Sequence, residues 1–271
     1  MILAADLDDT LIFSARRLAA AAAPLGGAVA VEYREGVPVA YMTEPALASL
    51  RELQGRAVFV LSTLRGEDQA RRVSFIRDGS CPYLCCQNGL AIYRRGAPDA
   101  VWARRVARTV AALPLRLEEA VSAALTLPGV LSLSRRYEYL AVFFIEPAEF
   151  PAEQYLSLRR RLARQGWRLH RQKRKLYLLP LPIDKGQALL HIRALEGMEA
   201  AGFGDSYFDW PLLAACRRRF APAGSSLAAA EAETGEFPPG EEKPTGIEFS
   251  QRPFMAGTEE ILGRLCATWP D

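Results

Sequence analysis

The sequence predicts an α/β protein in which a mostly parallel sheet, flanked by helices, is interrupted by a smaller inserted α+β module. Three observations carry this expectation. Residues 2–5 (ILAA) and 56–63 (RAVFVLST) are short apolar runs without alternation, the pattern of strands covered on both faces. Helical segments at 43–55 (TEPALASLRELQG) and 184–198 (DKGQALLHIRALEGM) accompany them, as expected where strands and helices alternate. Between these core-like parts the texture changes to alternating strands and strongly basic helices. The expected division is 1–84 and 181–271 for the core, with 85–180 inserted.

Composition sets the bounds. The chain has 271 residues, 50% hydrophobic and 24% charged, enough for one large core or two modest ones. That excludes disorder, collagen and a small disulfide scaffold. The formal charge of +3 identifies no nucleic-acid partner, which calls for a concentrated basic stripe. Only Lys173, Lys175, Lys185 and Lys243 are lysines, so each is more informative than an arginine. The five cysteines are odd in number and lack zinc-site spacing, which predicts free thiols in a reducing compartment. An acidic cluster interrupts the N-terminal apolar run at once, and no stretch reaches the roughly 20 apolar residues of a membrane span. A cytoplasmic protein with no membrane partner is expected.

Taken in order, ILAA forms the first strand. AVAVEYREGVPVAYM, at 28–42, reads as a hairpin turning at Glu35-Gly36. In the helix that follows, Thr43 caps, Pro45 sits early and Gly55 ends the segment. RAVFVLST is the second core strand. YRRGAPDA at 93–100 reads as a turn, followed by a helical stretch over roughly 101–125 and strand-like alternation over 128–145. Residues 152–166 form a basic amphipathic helix, and 167–182 a hairpin with a cationic turn. Helix returns at 184–198, and 229–245 reads as a polar loop. The stretch LEGMEAAGFGDS is poor in β-branched residues for a buried strand.

The strongest chemical signal is Asp6-Leu7-Asp8-Asp9-Thr10, directly after an apolar strand. Two carboxylates spaced this way reach one pocket if the chain turns sharply after the first. One could attack an electrophile or hold a divalent cation while the other moves a proton, a division that requires different environments. An acidic loop or a weak calcium site is the alternative on spacing alone.

With its companions, this cluster resembles the haloacid dehalogenase-like phosphohydrolases. Their D-x-D-x-T motif matches Asp6 to Thr10, and their strand-ending Ser or Thr matches Thr63 in Thr63-Leu64-Arg65, itself similar to the T-G-R of one subgroup. Their lysine ahead of a helix matches Lys185, and G-D-S-x-x-D matches Gly204 to Asp209. The resemblance implies phosphoryl transfer through an aspartyl-phosphate, with Asp6 as nucleophile and Mg²⁺ ligand. Asp8 would act as acid and base, with its backbone carbonyl on the metal. Asp205 would complete the metal shell and Asp209 support it. Ser62 or Thr63 would bind the phosphoryl group, and Lys185 would offset charge on phosphate and Asp6. Mg²⁺ suits such hard oxygen ligands. Asp9 falls at the free position of the motif and is left out of the set. Leu64 replaces the glycine of T-G-R.

The insertion's position between Thr63 and Lys185 resembles the class II cap of this superfamily. Gln87-Asn88-Gly89 resembles the signature that introduces the cap in the Cof-like, or type IIB, branch, which includes sucrose-phosphate and mannosyl-3-phosphoglycerate phosphatases. Asn88 and Gly89, with Arg171, Lys173, Arg174 and Lys175 of the cationic hairpin, are the substrate-binding candidates. The expected activity is Mg²⁺-dependent hydrolysis of a small phosphorylated metabolite, most of all a sugar phosphate. A sugar-phosphate mutase and a non-catalytic phosphate-binding protein are the alternatives. His170 and His191 are read as structural or surface residues.

Overall fold

A computed structural model describes residues 1–20, 26–232 and 245–270. They form two compact units, residues 1–99 with 184–271 and residues 100–183. The polar loop expected at 229–245, with Lys243, falls mostly outside the described residues.

The larger unit is built on an eight-stranded sheet whose pairings are parallel from the Glu248–Pro253 edge as far as Tyr83–Cys86 and antiparallel beyond it. Strand Ile2–Ala5 lies between Val58–Ser62 and Ala200–Phe203; Arg218–Ala223 and Glu248–Pro253 continue one side, and Tyr83–Cys86, Ala91–Arg94 and Ala97–Pro98 the other. Helices cover both faces, as the uninterrupted apolar runs predict. On one face Leu3, Ala5, Phe59, Leu61, Ala201 and Phe203 pack with Leu50 and Leu53 of helix Glu44–Arg56 and with Ile261, Leu262 and Leu265 of helix Phe254–Thr268. On the other, Gly202 lies so close to Leu213 and Cys216 that a Cβ there would stand 2.7 Å from the Cys216 sulfur. This explains a central strand reading AAGF: a β-branched residue has no room at its middle.

Local chemistry sets several boundaries. The hairpin of strands Ala28–Arg34 and Val37–Thr43 turns at Glu35 (φ 54°) and Gly36 (φ 79°), the paired positive φ of a primed turn. Thr43 caps the following helix by accepting from the Ala46 N–H at 3.2 Å. Gly55 lies inside that helix, which ends at Arg56, because the Ala57 N–H still bonds back to the Leu53 carbonyl. Helix Lys185–Glu196 is capped by the Asp184 side chain on the Gln187 N–H and ends on left-handed Gly197, as the sequence signals suggest.

Residues 85–99, placed by the sequence reading in the insertion, belong to the larger unit. Tyr83–Cys86 pairs in parallel with Val58–Ser62 and antiparallel with Ala91–Arg94, so this segment extends the main sheet. The helical stretch expected over 101–125 is two helices, Ala100–Ala111 and Leu117–Leu125, separated around Pro114. Strands Val130–Arg136, Ala141–Ile145, Trp167–Gln172 and Lys175–Pro180 form an antiparallel sheet in the smaller unit. One of its faces packs Phe143, Trp167, Leu169, Leu176 and Leu178 against Ala120, Ala124, Leu158 and Leu162 of its helices, giving the unit a core of its own. Among the described residues no helix is long and apolar enough to cross a membrane.

Candidate active site

Parallel register assembles the site. Ala5 stands opposite both Phe203 and Leu61, so the next residues, Asp6, Gly204 and Ser62, leave three adjacent strands at the same edge. Open parallel sheets bind ligands at this edge, where the connections diverge to opposite sides. The Asp6 N–H still bonds to the Phe203 carbonyl at 2.9 Å, fixing where the carboxylate begins. Beyond it the chain turns sharply: the Leu11 and Ile12 N–H groups return to the Leu7 carbonyl, and Asp9 takes a left-handed φ of 60°.

The Lys185 ammonium is the centre of the arrangement. It is buried and donates to Asp6 Oδ1 at 2.5 Å, Asp209 Oδ1 at 2.6 Å and the Ser62 carbonyl at 3.1 Å. Three N–H donors thus meet three acceptors. Burial opposes the charged ammonium, but Asp209 and Asp6 outweigh it and hold its pKa above the ordinary lysine value. Asp209 does more than support: its Oδ2 accepts from the Asp205 N–H, the Ser206 N–H and the Ser206 hydroxyl at 2.8–3.1 Å. With both oxygens committed, it organises the loop rather than facing a ligand.

Carboxylate oxygens of Asp6, Asp205 and Asp209 lie within 4.8 Å of one another. Three carboxylates meet one ammonium here, an imbalance of negative charge in a dry environment. Burial, then Asp209, push the Asp6 carboxyl up to about 7 despite Lys185; burial, Asp209 and Asp6 push Asp205 well above its ordinary value. A divalent cation would relieve this imbalance, so the donor set fits Mg²⁺ in charge and hardness. The Thr10 hydroxyl donates to Asp205 Oδ1 at 3.3 Å, and Thr258 of the C-terminal helix donates to the Thr10 carbonyl at 2.5 Å.

Asp8 does not join this group. Its carboxylate is half exposed and is held side-on by Arg65, with Nε to Oδ2 at 2.8 Å and Nη2 to Oδ1 at 2.7 Å. The paired carboxylates of the first motif therefore have separate counter-ions, Lys185 for Asp6 and Arg65 for Asp8. Asp8 and Glu32 outweigh the opposing effect of burial and raise the Arg65 pKa further.

Thr63 Oγ1 accepts from the Arg65 N–H at 3.1 Å, leaving its own O–H to donate. Among the described residues the Ser62 hydroxyl is buried without a hydrogen-bond partner, as is the Asn88 side-chain amide. The Asn88 N–H bonds to the Thr63 carbonyl at 2.9 Å, and Gly89, at φ 92°, fits where a Cβ would stand 2.4 Å from the Asp184 carbonyl oxygen. Asn88-Gly89 thus packs the end of the Ser62-Thr63 strand against the start of the Lys185 helix. Arg171, Lys173, Arg174 and Lys175 lie in the smaller unit, where Arg174 pairs with Glu146 at 3.2 Å and Arg171 lies over the Phe150 ring. Burial and the nearby Arg159 and Arg168 lower the His170 pKa to about 3, and His191 pairs with Asp99 at 3.0 Å.

Sequence reasoning quoted Thr10 and Arg65 without giving either a role and missed Glu32 and Thr258. The Thr63-Leu64-Arg65 triplet contains a usable signal for Arg65; the others act through contacts distant in sequence.

No protein-family model and no curated protein matches the sequence. Solved structures do. A sucrose-phosphatase from Synechocystis, determined in complex with sucrose and phosphate, superposes at TM-score 0.63 with 16% identity, over 98% of this chain and 97% of the other. A haloacid dehalogenase-like hydrolase from Bacteroides thetaiotaomicron gives 0.56 at 13% identity, over 97% and 98%. A trehalose-6-phosphate phosphatase from Aspergillus fumigatus gives 0.50 at 11%, over 98% and 92%. The chain shares the fold of these structures over nearly its whole length.

Proposed function

We propose that this chain is an Mg²⁺-dependent phosphatase of small phosphorylated metabolites, with sugar phosphates as the substrate class, acting through a phosphorylated Asp6. The observation that carries the reading is the unlike treatment of two carboxylates from one motif: Asp6 is buried against Lys185, while Asp8 is held apart and half exposed by Arg65. A phosphate-binding protein needs no such division; a nucleophile and a proton carrier do.

Asp6 attacks phosphorus, and the bond to the leaving oxygen breaks as Asp8 supplies that oxygen with a proton. Water then attacks the phosphorus of the acyl phosphate, giving a proton to Asp8. Asp6 is restored and inorganic phosphate leaves. Lys185 offsets negative charge on Asp6 and the phosphoryl oxygens, Thr63 donates its free O–H to one of them, and Asp209 holds Lys185 in place. Asp6, Asp205 and the Asp8 backbone carbonyl would hold Mg²⁺, which when bound polarises the phosphoryl group and offsets its charge. The sugar-phosphate assignment draws support from the likeness to sucrose-phosphatase and from the cationic hairpin of the insertion. Arg171, Lys173, Arg174 and Lys175 are proposed to contact the leaving group, with Asn88-Gly89 setting the adjoining loop. The five free cysteines support a cytoplasmic setting.

The test is a screen of phosphorylated metabolites with wild type and Asp6→Asn, with and without Mg²⁺. Wild type is expected to release phosphate only with the metal, and Asp6→Asn to release none. Folded wild type that binds phosphate yet releases none across the screen would overturn the reading in favour of a binding protein.

A further inference from the structure

We infer that Glu32, acting through Arg65, positions the Asp8 carboxylate, so that the hairpin at 28–43 is part of the proton-transfer apparatus. The inference rests on the phosphatase reading and goes beyond it by naming two positioning residues that the motifs do not assign.

Glu32 is a buried carboxylate in a strand that otherwise turns polar residues outward. Its neighbour Val31 is buried too, a break in the alternation expected of a strand covered on one face. The cause is local: pairing with Val37–Thr43 shifts register on both sides of Glu32, and Glu32 also forms an isolated bridge with Val73. Such irregularities re-aim a side chain. Here the carboxylate is turned to Arg65 Nη1, at 2.9 Å, with Arg72 Nε at 3.6 Å. A charge this buried needs a fixed partner.

The guanidinium is planar, so anchoring one nitrogen orients the rest. With Nη1 on Glu32, and 3.4 Å from the Gln69 carbonyl, the Nε–Nη2 edge faces Asp8 and takes it side-on. The Arg65 N–H meanwhile bonds to Thr63 Oγ1, tying the same residue to the proposed phosphate donor. Asp8 is 54% exposed, and Arg65 is the side-chain partner that sets its direction. Without Glu32, Arg65 loses its anchor and Asp8 its aim.

The experiment compares wild type, Glu32→Gln and Arg65→Lys on two substrates, after thermal unfolding confirms that each is folded. An alkyl phosphate needs a proton on its leaving oxygen; p-nitrophenyl phosphate does not, and its pre-steady-state burst reports attack by Asp6 alone. Each variant is expected to lower kcat on the alkyl phosphate by at least about tenfold, a part of the 10²–10⁴ that a positioned acid contributes, with KM within about twofold. The nitrophenolate burst is expected to keep its rate within about twofold. A crystal structure of Glu32→Gln is expected to show Arg65 turned off Asp8. If wild type acts on both substrates and the variants lose both equally, or neither, the positioning role is overturned while the phosphatase reading stands. Arg65 unchanged on Asp8 in the Glu32→Gln structure overturns it equally. Wild type inactive on both substrates overturns the phosphatase reading and this inference with it. Should Glu32→Gln fail to fold, Arg65→Lys decides by the same comparison.

Discussion

Asp6 carries opposing demands. As a nucleophile it must be ionised, yet in the metal-free protein its burial and its closeness to Asp209 favour the protonated form, with a pKa of about 7 against an ordinary 3.8. Because the folded state holds this proton more tightly than the unfolded chain, the stability of the metal-free protein should fall as pH rises from about 4 to about 7. Replacing the carboxylate by an amide removes that cost. Asp6→Asn is therefore expected to abolish turnover while raising the metal-free Tm at pH 8 by several degrees, since about 1 kcal/mol corresponds to roughly 2–4 °C in a chain this size. Calorimetry of both proteins with EDTA checks this; an unchanged or lower Tm contradicts it. Most of these side chains were legible one by one, because each motif carries its own residue types. That Asp209 would be saturated by Lys185, Ser206 and the Asp205 N–H, and that Asp8 would be drawn to Arg65, depended on which loops meet, and no spacing encodes that.

The elements that position these groups meet at glycines. A Cβ on Gly186, next to Lys185, would stand 2.3 Å from the Pro211 carbonyl oxygen, and one on Gly204 would stand 2.4 Å from Asp209 Cβ. The first contact holds the start of the Lys185 helix against the chain just after Asp209, and the second closes the Gly204–Asp209 loop on itself. Gly186→Ala and Gly204→Ala are each expected to cost about 1–3 kcal/mol, the range for overpacking, and to lower kcat by displacing Lys185 or Asp209. Urea denaturation and steady-state assays measure the two effects; a variant with wild-type stability and kcat would show that the contact is not needed. The helices at 44–56, 152–164 and 185–196 and the hairpins at 28–43 and 167–180 were readable from capping, turn residues and periodicity, whereas helix Phe254–Thr268 and strands Arg218–Ala223 and Glu248–Pro253 were not predicted. The strand Ala200–Phe203 was difficult because its alanines and glycine answer to packing on both faces rather than to strand propensity. The break around Pro114 shows the same limit in a helix: apolar spacing persists across it, while the backbone does not.

The near-neutral charge of the whole chain conceals an uneven distribution. Residues 100–183 hold fifteen Lys and Arg against six Asp and Glu, a net of +9, which leaves −6 for the remainder. The smaller unit also buries its own core around Phe143, Trp167, Leu169 and Leu178. A fragment spanning 100–183 is therefore expected to fold alone, giving a cooperative melt and dispersed amide resonances; a disordered fragment would show that its core depends on the larger unit. The order of the motifs placed an insertion between Thr63 and Lys185, but its expected start at 85 falls fifteen residues before the smaller unit begins at Ala100. The segment 85–99 was harder to place, because antiparallel strands that extend a parallel sheet look, in sequence, like those of the insertion.

The central claim is that Asp6 becomes phosphorylated during turnover. Rapid quenching of wild type with Mg²⁺ and a phosphorylated sugar that it hydrolyses, followed by mass spectrometry of the peptide containing Asp6, tests it most directly. The account predicts a phosphoryl group on Asp6 that appears before phosphate is released, decays with turnover and is absent from Asp6→Asn. Phosphate release with no label on Asp6, or with undiminished turnover in Asp6→Asn, would contradict it.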